Sequence, residues 1–261
     1  MGRVCERIGD LMRDYTPPDY AHVPGPDAAI FLCAVDHRTG YARPHPLDGS
    51  GPYEGSELMW EVALRANRLA PGLLTAAALR DVGAERVAEL FRVDEETVVD
   101  PERRAALWRD LARGLERDYE GGAARLLAAA GGRLAGPGGL LERLARYEAY
   151  SDPLAKKAQL FAKICERRGW FGVADPQSWE VSADNVLMRL ALRSGLVAQG
   201  DTEEVREATR DAFKRVAEQA KIPPPVLDDL LWEKGRDDPD LIGSEAGDLT
   251  EPPRREGVVF Y

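Results

Sequence analysis

The sequence predicts an all-α fold with one or two short strands, built from roughly ten helices. Three observations support this prediction. Most of the chain from residue 56 onward carries apolar residues at helical spacing. Several of these stretches begin with a residue typical of a helix N-cap, and some end at a glycine. The alternating apolar and polar pattern of a half-buried strand does not recur along the chain.

Residues 1–28 predict an irregular N-terminal arm, because "DYTPPDYAHVPGPDA" is rich in proline; only a short helix is expected before it. Residues 29–261 are expected to form a single helical domain. Its first segment, "AIFLCAV", is an apolar run of strand length. The following "DHRTGYARPHPLDGSGPYEG" is rich in Gly and Pro and predicts a long loop. Long ordered loops tend to be functional.

Helices are then expected in order along the chain. Ser56 is a candidate N-cap for "SELMWEVALRANRLA", and Asp100 with Pro101 begins "DPERRAALWRDLARGLERDY". The other stretches at helical spacing are "AERVAELF", "GLLERLARYEAY", "DPLAKKAQLFAKICERRG", "VSADNVLMRLALRSGL", "DTEEVREATRDAFKRVAEQA" and "PPPVLDDLLWEKGRDD", the last ending at Gly235.

The helix in "DPLAKKAQLFAKICERRG" is expected to begin at Asp152 and Pro153, with Gly169 as its C-cap. Its buried stripe is expected to consist of Leu154, Ala158, Phe161 and Cys165. The three lysines Lys156, Lys157 and Lys163 lie off that stripe and are therefore expected to be solvated. A desolvated lysine would instead act as a nucleophile or hold a phosphate, and this alternative stays open.

The composition excludes several classes of protein. Hydrophobic residues make up 44% and charged residues 31% of the 261 residues, a balance typical of a folded protein. No apolar run approaches the roughly 20 residues that span a bilayer, and the N-terminus lacks the apolar core of a signal peptide. The cysteines Cys5, Cys33 and Cys165 are too few and too far apart for a disulfide framework or a paired metal motif. We expect a cytoplasmic protein without membrane contact.

The formal net charge of −10 helps to distinguish a nucleic-acid partner from a small-molecule substrate. Because basic residues drive binding to duplex nucleic acid, this acidic balance favours a small-molecule substrate, and we expect a monomer. His37 and His45 lie far from any cysteine pair, so no zinc site is expected. The sequence contains neither a phosphate-binding glycine-rich loop after a strand nor the hydrolase and metalloprotease motifs.

Asp184 is the residue with two interpretations. It precedes the apolar spacing of "NVLMRLALR", where a carboxylate caps the free N–H groups of a helix and meets its positive end. The same acid is also placed as an active-site carboxylate would be, and position alone does not decide between the two. Asp228 and Asp229 in "VLDDLLW" likewise lie one turn into a helix, where the helix dipole stabilises an acid.

Taken together, these segments resemble the queuosine salvage proteins, which are queuosine 5′-phosphate N-glycosylases of the helix-hairpin-helix glycosylase superfamily. The resemblance is collinear from Ala29 to Tyr261. It rests on "YEGSELMWEVALRANRLAPG", "GAERVAELFR", "PERRAALWRDLARGLERDYEGG", "LAKKAQLFAK", "ADNVLMRLALRSG", "LDDLLW" and "RREGVVFY". A second resemblance, of "KKAQLFAKI", "ADNVLMRLALRSGLV" and "IPPPVLDDLLWEKGR", is to archaeal 8-oxoguanine DNA glycosylases.

The resemblance implies a glycosylase-like helical domain that releases queuine from queuosine 5′-phosphate, without a metal or an organic cofactor. It implies that Asp184 is the catalytic carboxylate. The residues implied to bind the substrate are Asp36, His37, Asn185, Lys156 and Asp228. Asp36, His37 and Asp228 are also the candidates to supply a proton or hydrogen bond to the leaving base.

Two departures from the family pattern keep other functions open. The family's Val-Asp-x-Leu-Asn-Phe-x-Phe-Trp segment becomes "VDHRTGYAR" here, and Asn185 stands where the family has Tyr. One alternative is a DNA repair glycosylase/lyase for oxidised guanine, in which Lys156 would attack the sugar and form a Schiff base. The other is a non-catalytic nucleotide-binding protein with the same fold.

Overall fold

The structure is a computed structural model that describes residues 1–47, 50–244, 246 and 258–260. Within these ranges it contains twelve α-helices, two short 3-10 helices and one two-stranded antiparallel sheet, which confirms the predicted all-α class. The helices are α1 (Gly2–Met12), α2 (Pro26–Ala34), α3 (Gly55–Leu69), α4 (Ala76–Leu79), α5 (Ala84–Leu90), α6 (Pro101–Tyr119), α7 (Ala123–Ala130), α8 (Leu140–Leu144), α9 (Lys156–Arg167), α10 (Asn185–Arg193), α11 (Thr202–Ala220) and α12 (Pro224–Gly235). The strands are β1 (His45–Leu47) and β2 (Ser50–Tyr53), and the 3-10 helices are Glu148–Tyr150 and Pro176–Ser178.

The described residues group into two compact units. The larger unit consists of Tyr20–Asp175 with Phe260 and contains α2 to α9 and the sheet. The smaller unit consists of Met1–Asp19 and the described part of Pro176–Val259, and contains α1 and α10 to α12. The division into an arm of residues 1–28 and a single domain of residues 29–261 stays a prediction. Most of the "RREGVVFY" segment lies outside the described residues.

The apolar run at residues 29–35 is helical, so the predicted strand is wrong. Residues 29–34 lie in α2 and Val35 is its C-cap; the helix begins with Pro26 at its first position and has Asp27 in its first turn. Every residue from Ala28 to Val35 is at most 4% exposed. A helix buried on all sides has no polar face, and its sequence therefore lacks the 3.6-residue period that would distinguish it from a buried strand.

The region between α2 and α3 is the predicted non-helical segment. It contains a small hairpin in which His45 pairs with Tyr53 and Pro46 with Pro52, in antiparallel register. Helix α3 then begins at Gly55, with Glu54 at the N-cap position. The prediction that Ser56 caps this helix is wrong, because its hydroxyl donates a hydrogen bond to Asp36 instead.

Helix α9 begins later than the sequence predicts, and its lysines are not solvated. The carboxylate of Asp152 accepts hydrogen bonds from the N–H groups of Leu154 and Lys156, so residues 152–155 form a tight turn and the helix begins at Lys156. Nine of its twelve residues are buried, including all three lysines. The prediction of solvated lysines is wrong because α2, α8 and the Glu148–Tyr150 helix pack around α9, which leaves it no wholly polar face. Gly169 follows the helix with a positive φ of 70°, as predicted for its C-cap.

In the smaller unit, α10 packs against α11 and α12. Leu190 of α10 contacts α12 at Gly235, where an added Cβ would lie 2.5 Å from Leu190 Cδ1. The Arg189 guanidinium donates to the carbonyl oxygens of Gly235 and Arg236. These contacts fix the C-terminal halves of α10 and α12 against each other. The predicted end of α12 at Gly235 is confirmed. The sequence also predicts that this helix begins after the proline triplet, which is wrong, because it begins inside the triplet, at Pro224.

Over the part of the chain that the structure describes, no helix combines the length and the apolar character that a membrane-spanning segment needs.

Candidate functional site

The predicted site residues fall into two groups, one in each unit. The smaller unit holds Asp184, Asn185 and Asp228, and the larger unit holds Asp36, His37 and Lys156. The two groups are described separately.

Asp184 is the N-cap of α10, as predicted. Its backbone is extended, with φ −105° and ψ −174°, and Oδ1 accepts a hydrogen bond of 3.0 Å from the N–H of Leu187. The side chain is half-buried, whereas Val181, Ser182 and Ala183 before it are buried. The carboxylate is thus fixed where the chain enters the helix, at the end whose dipole stabilises negative charge.

Asp228 of α12 holds the segment that leads to Asp184. Its Oδ1 accepts a hydrogen bond of 2.8 Å from the backbone N–H of Ser182, and only 6% of Asp228 is exposed. This bond ties the residues before α10 to the first turns of α12. Asp228 therefore positions the backbone near Asp184, a role that the sequence does not predict because the donor is a main-chain group. Asn185 is exposed on the first turn of α10, and its contact with a substrate stays a prediction.

In the larger unit, Asp36, His37 and Lys156 meet at the C-terminal end of α2. The Lys156 ammonium donates to the carbonyl oxygen of Asp36 at 3.2 Å. The Asp36 carboxylate accepts a hydrogen bond of 2.6 Å from the hydroxyl of Ser56. All three predicted residues are between 7% and 8% exposed. The structure thus brings together residues that are 120 positions apart in the sequence.

Two further basic residues, Lys157 and Arg104, complete this group. Lys157 Nζ donates to Ala34 O at 2.6 Å and lies 3.1 Å from His37 Nδ1. The Arg104 guanidinium donates to four backbone carbonyls, those of Val35, His37, Arg38 and Val99. Cations at a helix C-terminus satisfy its free carbonyl oxygens and its negative dipole end. We call Asp36, His37, Arg104, Lys156 and Lys157 the α2 cluster.

Burial and mutual repulsion shape the charges of the α2 cluster. Desolvation, followed by the charges of Lys156 and Arg104, holds the pKa of Lys157 well below its ordinary value, although Asp36 acts in the opposite direction. Desolvation, followed by Lys157 and Arg104, lowers the pKa of His37 strongly, so His37 is a neutral ring at pH 7. Desolvation also lowers the pKa of Arg104, to about 10, which leaves it charged.

Sequence reasoning missed Ser56, Lys157 and Arg104 as members of this region. A signal for Arg104 does exist, because it lies at the i, i+4 and i+7 spacing of the buried residues Trp108 and Leu111. An arginine on an otherwise buried stripe needs internal acceptors, and here these are backbone carbonyls. Ser56 gave no such signal, because its partner is 20 residues away across a loop.

His45 lies outside the α2 cluster. It is 2% exposed, and its Nδ1 lies 3.3 Å from Asp94 Oδ2. Among the described residues, no three His, Cys, Asp or Glu side chains gather as a metal ion would require.

Comparisons with known proteins give similarities to solved structures but none in sequence. No protein-family model matches the chain, and no curated protein matches it in sequence. Its fold is similar to that of the 8-oxoguanine DNA glycosylase of Pyrobaculum aerophilum, solved in complex with 8-oxoguanosine. The TM-score is 0.46 at 14% identity, over 90% of this chain and 78% of that one. No residue role is transferred from that enzyme to this chain.

Proposed function

We propose that this chain is an N-glycosidase with a helix-hairpin-helix glycosylase-like fold. Its substrate is a modified nucleoside 5′-monophosphate, in the first instance queuosine 5′-phosphate, which it hydrolyses to queuine and ribose 5-phosphate. The observation that carries the proposal is the placement of Asp184. Its carboxylate caps α10 through Leu187 and follows a segment that Asp228 holds in place. The resemblance of "ADNVLMRLALRSG" to the family's catalytic segment falls on this same residue.

The reaction explains why a fixed carboxylate is needed. As the bond between C1′ and the base nitrogen breaks, the electron pair leaves with the base and positive charge develops on the sugar. An ionised Asp184 stabilises that charge and orients the water whose oxygen bonds to C1′. A carboxylate that is already hydrogen-bonded in place needs no rearrangement when the charge develops, which makes its electrostatic contribution larger.

The departing base needs a proton or a hydrogen-bond donor. Of the three residues expected to serve it, His37 is neutral, because burial and Lys157 lower its pKa. A neutral imidazole donates one N–H hydrogen bond but is not an imidazolium acid. Asp228 already accepts the Ser182 N–H, which favours a positioning role for it. The water that attacks C1′ releases one proton as its oxygen bonds to carbon, and the departing base takes up one proton from solvent, so the hydrolysis balances without a further acid from this chain.

The test is the incubation of purified protein with queuosine 5′-phosphate, followed by chromatography and mass spectrometry for free queuine. We expect stoichiometric formation of queuine and ribose 5-phosphate over many turnovers. Other modified nucleoside 5′-monophosphates, supplied in parallel, identify the base. If no base is released from any of them, the proposal is wrong.

The burial of Lys156 favours a second candidate, a DNA repair glycosylase/lyase. A lysine nucleophile must be desolvated, and Lys156 is 8% exposed. This candidate requires that borohydride trap a covalent complex between the protein and DNA containing 8-oxoguanine, and that DNA binding weaken steeply with salt. The acidic net charge favours the nucleotide substrate over DNA.

A further inference from the structure

The hydrogen bonding of Lys156 is incomplete. An ammonium group has three N–H donors. Among the described residues, Lys156 uses one of them, on the neutral carbonyl oxygen of Asp36 at 3.2 Å. Lys156 is nevertheless only 8% exposed. A buried cation with unused donors is costly unless an anion or water completes its shell.

Lys156 also differs from the other basic side chains of the α2 cluster in its acceptors. Arg104 and Lys157 direct their donors to backbone carbonyls and to His37. The buried carboxylate of Asp152 accepts the backbone N–H of Lys156, but no described side chain accepts a hydrogen bond from the Lys156 ammonium. An anion bound at this ammonium would complete its hydrogen bonding.

Gln159 lies one turn farther along the same face of α9. Residues three positions apart are neighbours on a helix surface, so its carboxamide follows the side chain of Lys156. Gln159 is 3% exposed, and its Oε1 has no hydrogen-bond donor among the described residues. A buried acceptor without a donor costs free energy that a ligand hydroxyl would recover. This face of α9 therefore presents the ammonium donors of Lys156 and, one turn farther along, the unsatisfied acceptor of Gln159.

We propose that Lys156 and Gln159 form a sugar-phosphate subsite, in which Lys156 holds the phosphate and Gln159 Oε1 accepts a hydrogen bond from a sugar hydroxyl. A phosphate supplies the anion that Lys156 lacks, and a hydroxyl is the donor that Gln159 lacks. The subsite belongs to the larger unit alone and goes beyond the proposed function, which is assigned to Asp184 of the smaller unit.

The direct test uses ligands that contain no base. Calorimetric titration of the wild-type chain compares ribose 5-phosphate, inorganic phosphate and ribose. We expect ribose 5-phosphate to bind most tightly, inorganic phosphate more weakly and ribose not measurably. The affinity for ribose 5-phosphate should decrease below about pH 6, where the phosphate takes up its second proton. Equal binding of ribose and ribose 5-phosphate would overturn the proposal without any variant.

Substitutions then assign the two contacts. Lys156→Met keeps the volume but removes the donors, and should weaken ribose 5-phosphate and inorganic phosphate about tenfold to a hundredfold. Gln159→Leu should weaken ribose 5-phosphate by about fivefold and leave inorganic phosphate unchanged. Lys234→Met is the matched control, because Lys234 is exposed on α12 and paired with Glu233. Lys156→Arg retains the charge and should keep most of the phosphate affinity.

The outcomes separate this proposal from the proposed function. If Lys156→Met unfolds, the wild-type ligand comparison and Lys156→Arg still decide. If Lys156→Met lowers the melting temperature but binds phosphate as the wild type does, Lys156 is structural and the subsite is wrong, even when the chain releases queuine. If ribose 5-phosphate binds as expected but no nucleotide is hydrolysed, the subsite stands and the glycosidase activity does not.

Discussion

The Asp228 carboxylate accepts the backbone N–H of Ser182 at 2.8 Å, two residues before Asp184. Because the acceptor belongs to α12 and the donor to the segment that enters α10, this single bond holds the approach to the proposed catalytic residue. The hydrogen-bond donor at Ser182 is buried, so it cannot turn to water when Asp228 is removed.

Replacement of Asp228 should therefore lower both the free energy of unfolding and the rate of base release. Asp228→Ala leaves the Ser182 N–H unpaired, and we expect the free energy of unfolding to fall by about 1–3 kcal/mol. Asp228→Asn keeps an acceptor oxygen and should lose less. Urea denaturation of both variants and of the wild type measures these differences in the free energy of unfolding. An Ala variant as stable as the wild type would show that this bond does not hold the segment.

Substitutions of Asp184 should distinguish its role as a helix cap from its proposed role in catalysis. Asn is as good an N-cap as Asp, so Asp184→Asn should remain as stable as the wild type, within about 0.5 kcal/mol, yet lose nearly all base release. Asp184→Ala should lose the activity and, in addition, about 1 kcal/mol of stability. Denaturation and the queuine assay on the same preparations test this. Full activity in the Asn variant would remove Asp184 from the mechanism; ligand binding without activity in the wild type would favour a non-catalytic nucleotide-binding protein.

The contact between α10 and α12 has no room for a methyl group at Gly235. An added Cβ would lie 2.5 Å from Leu190 Cδ1, and Leu190 is fully buried, so Gly235→Ala should destabilise the chain by about 1–3 kcal/mol. Gly9→Ala is the matched control. Gly9 is exposed within α1 with no atom within 4 Å of the added Cβ, and the substitution should stabilise by about 0.5–1 kcal/mol. Thermal unfolding compares the two; a stabilised Gly235→Ala would contradict the contact.

His37 should make the stability depend on pH between 7 and 5. Its pKa is strongly lowered in the folded chain, first by burial and then by the charge of Lys157, from the ordinary histidine value of about 6.5. Below about pH 6.5 the unfolded chain binds a proton at His37 that the folded chain does not bind. The free energy of unfolding therefore decreases with falling pH, by up to about 1.4 kcal/mol per pH unit from this one group.

The measurement for this pH prediction is urea denaturation at several pH values. His37→Gln, which keeps an acceptor for Lys157, should decrease less steeply between pH 6.5 and 5 than the wild type. The same substitution at His22, which is exposed, should leave the wild-type slope unchanged. Identical slopes for the wild type and His37→Gln would contradict the assignment.

The buried cysteines should be unreactive in the folded chain. Burial raises the pKa of the Cys33 and Cys165 thiols, which suppresses the nucleophilic thiolate. Cys5 is half-buried and serves as the internal control. Mass spectrometry after iodoacetamide treatment should show modification of Cys5 under native conditions, and of all three cysteines in denaturant. Native modification of Cys33 would indicate that α2 opens locally.

Sequence reasoning succeeded where the decisive interaction is local. The caps at Asp100 and Asp184 each bond to an N–H three residues ahead, and the sequence predicts both. The sequence-based prediction failed where packing against distant parts of the chain determines the secondary structure. Residues 29–35 are helical rather than extended because neighbours cover every side of α2, and no pattern within seven apolar residues records this.

The candidate site shows the same limit. Asp36 and Lys156 match the family pattern, His37 is a candidate to serve the leaving base, and the structure groups all three. The burial of Lys156, Lys157 and Lys163 was not predictable from a helical wheel, because a lysine off the apolar stripe is ordinarily solvated. Their acceptors at the end of α2 lie about 120 residues earlier in the chain, beyond the reach of any local pattern.

The end of α2 is anchored through its main chain. Lys157, Arg104 and Lys156 bind the carbonyl oxygens of Ala34, Val35 and Asp36, and every amino acid carries that oxygen. The direction in which the chain leaves α2 is therefore independent of the polar groups that its last side chains carry.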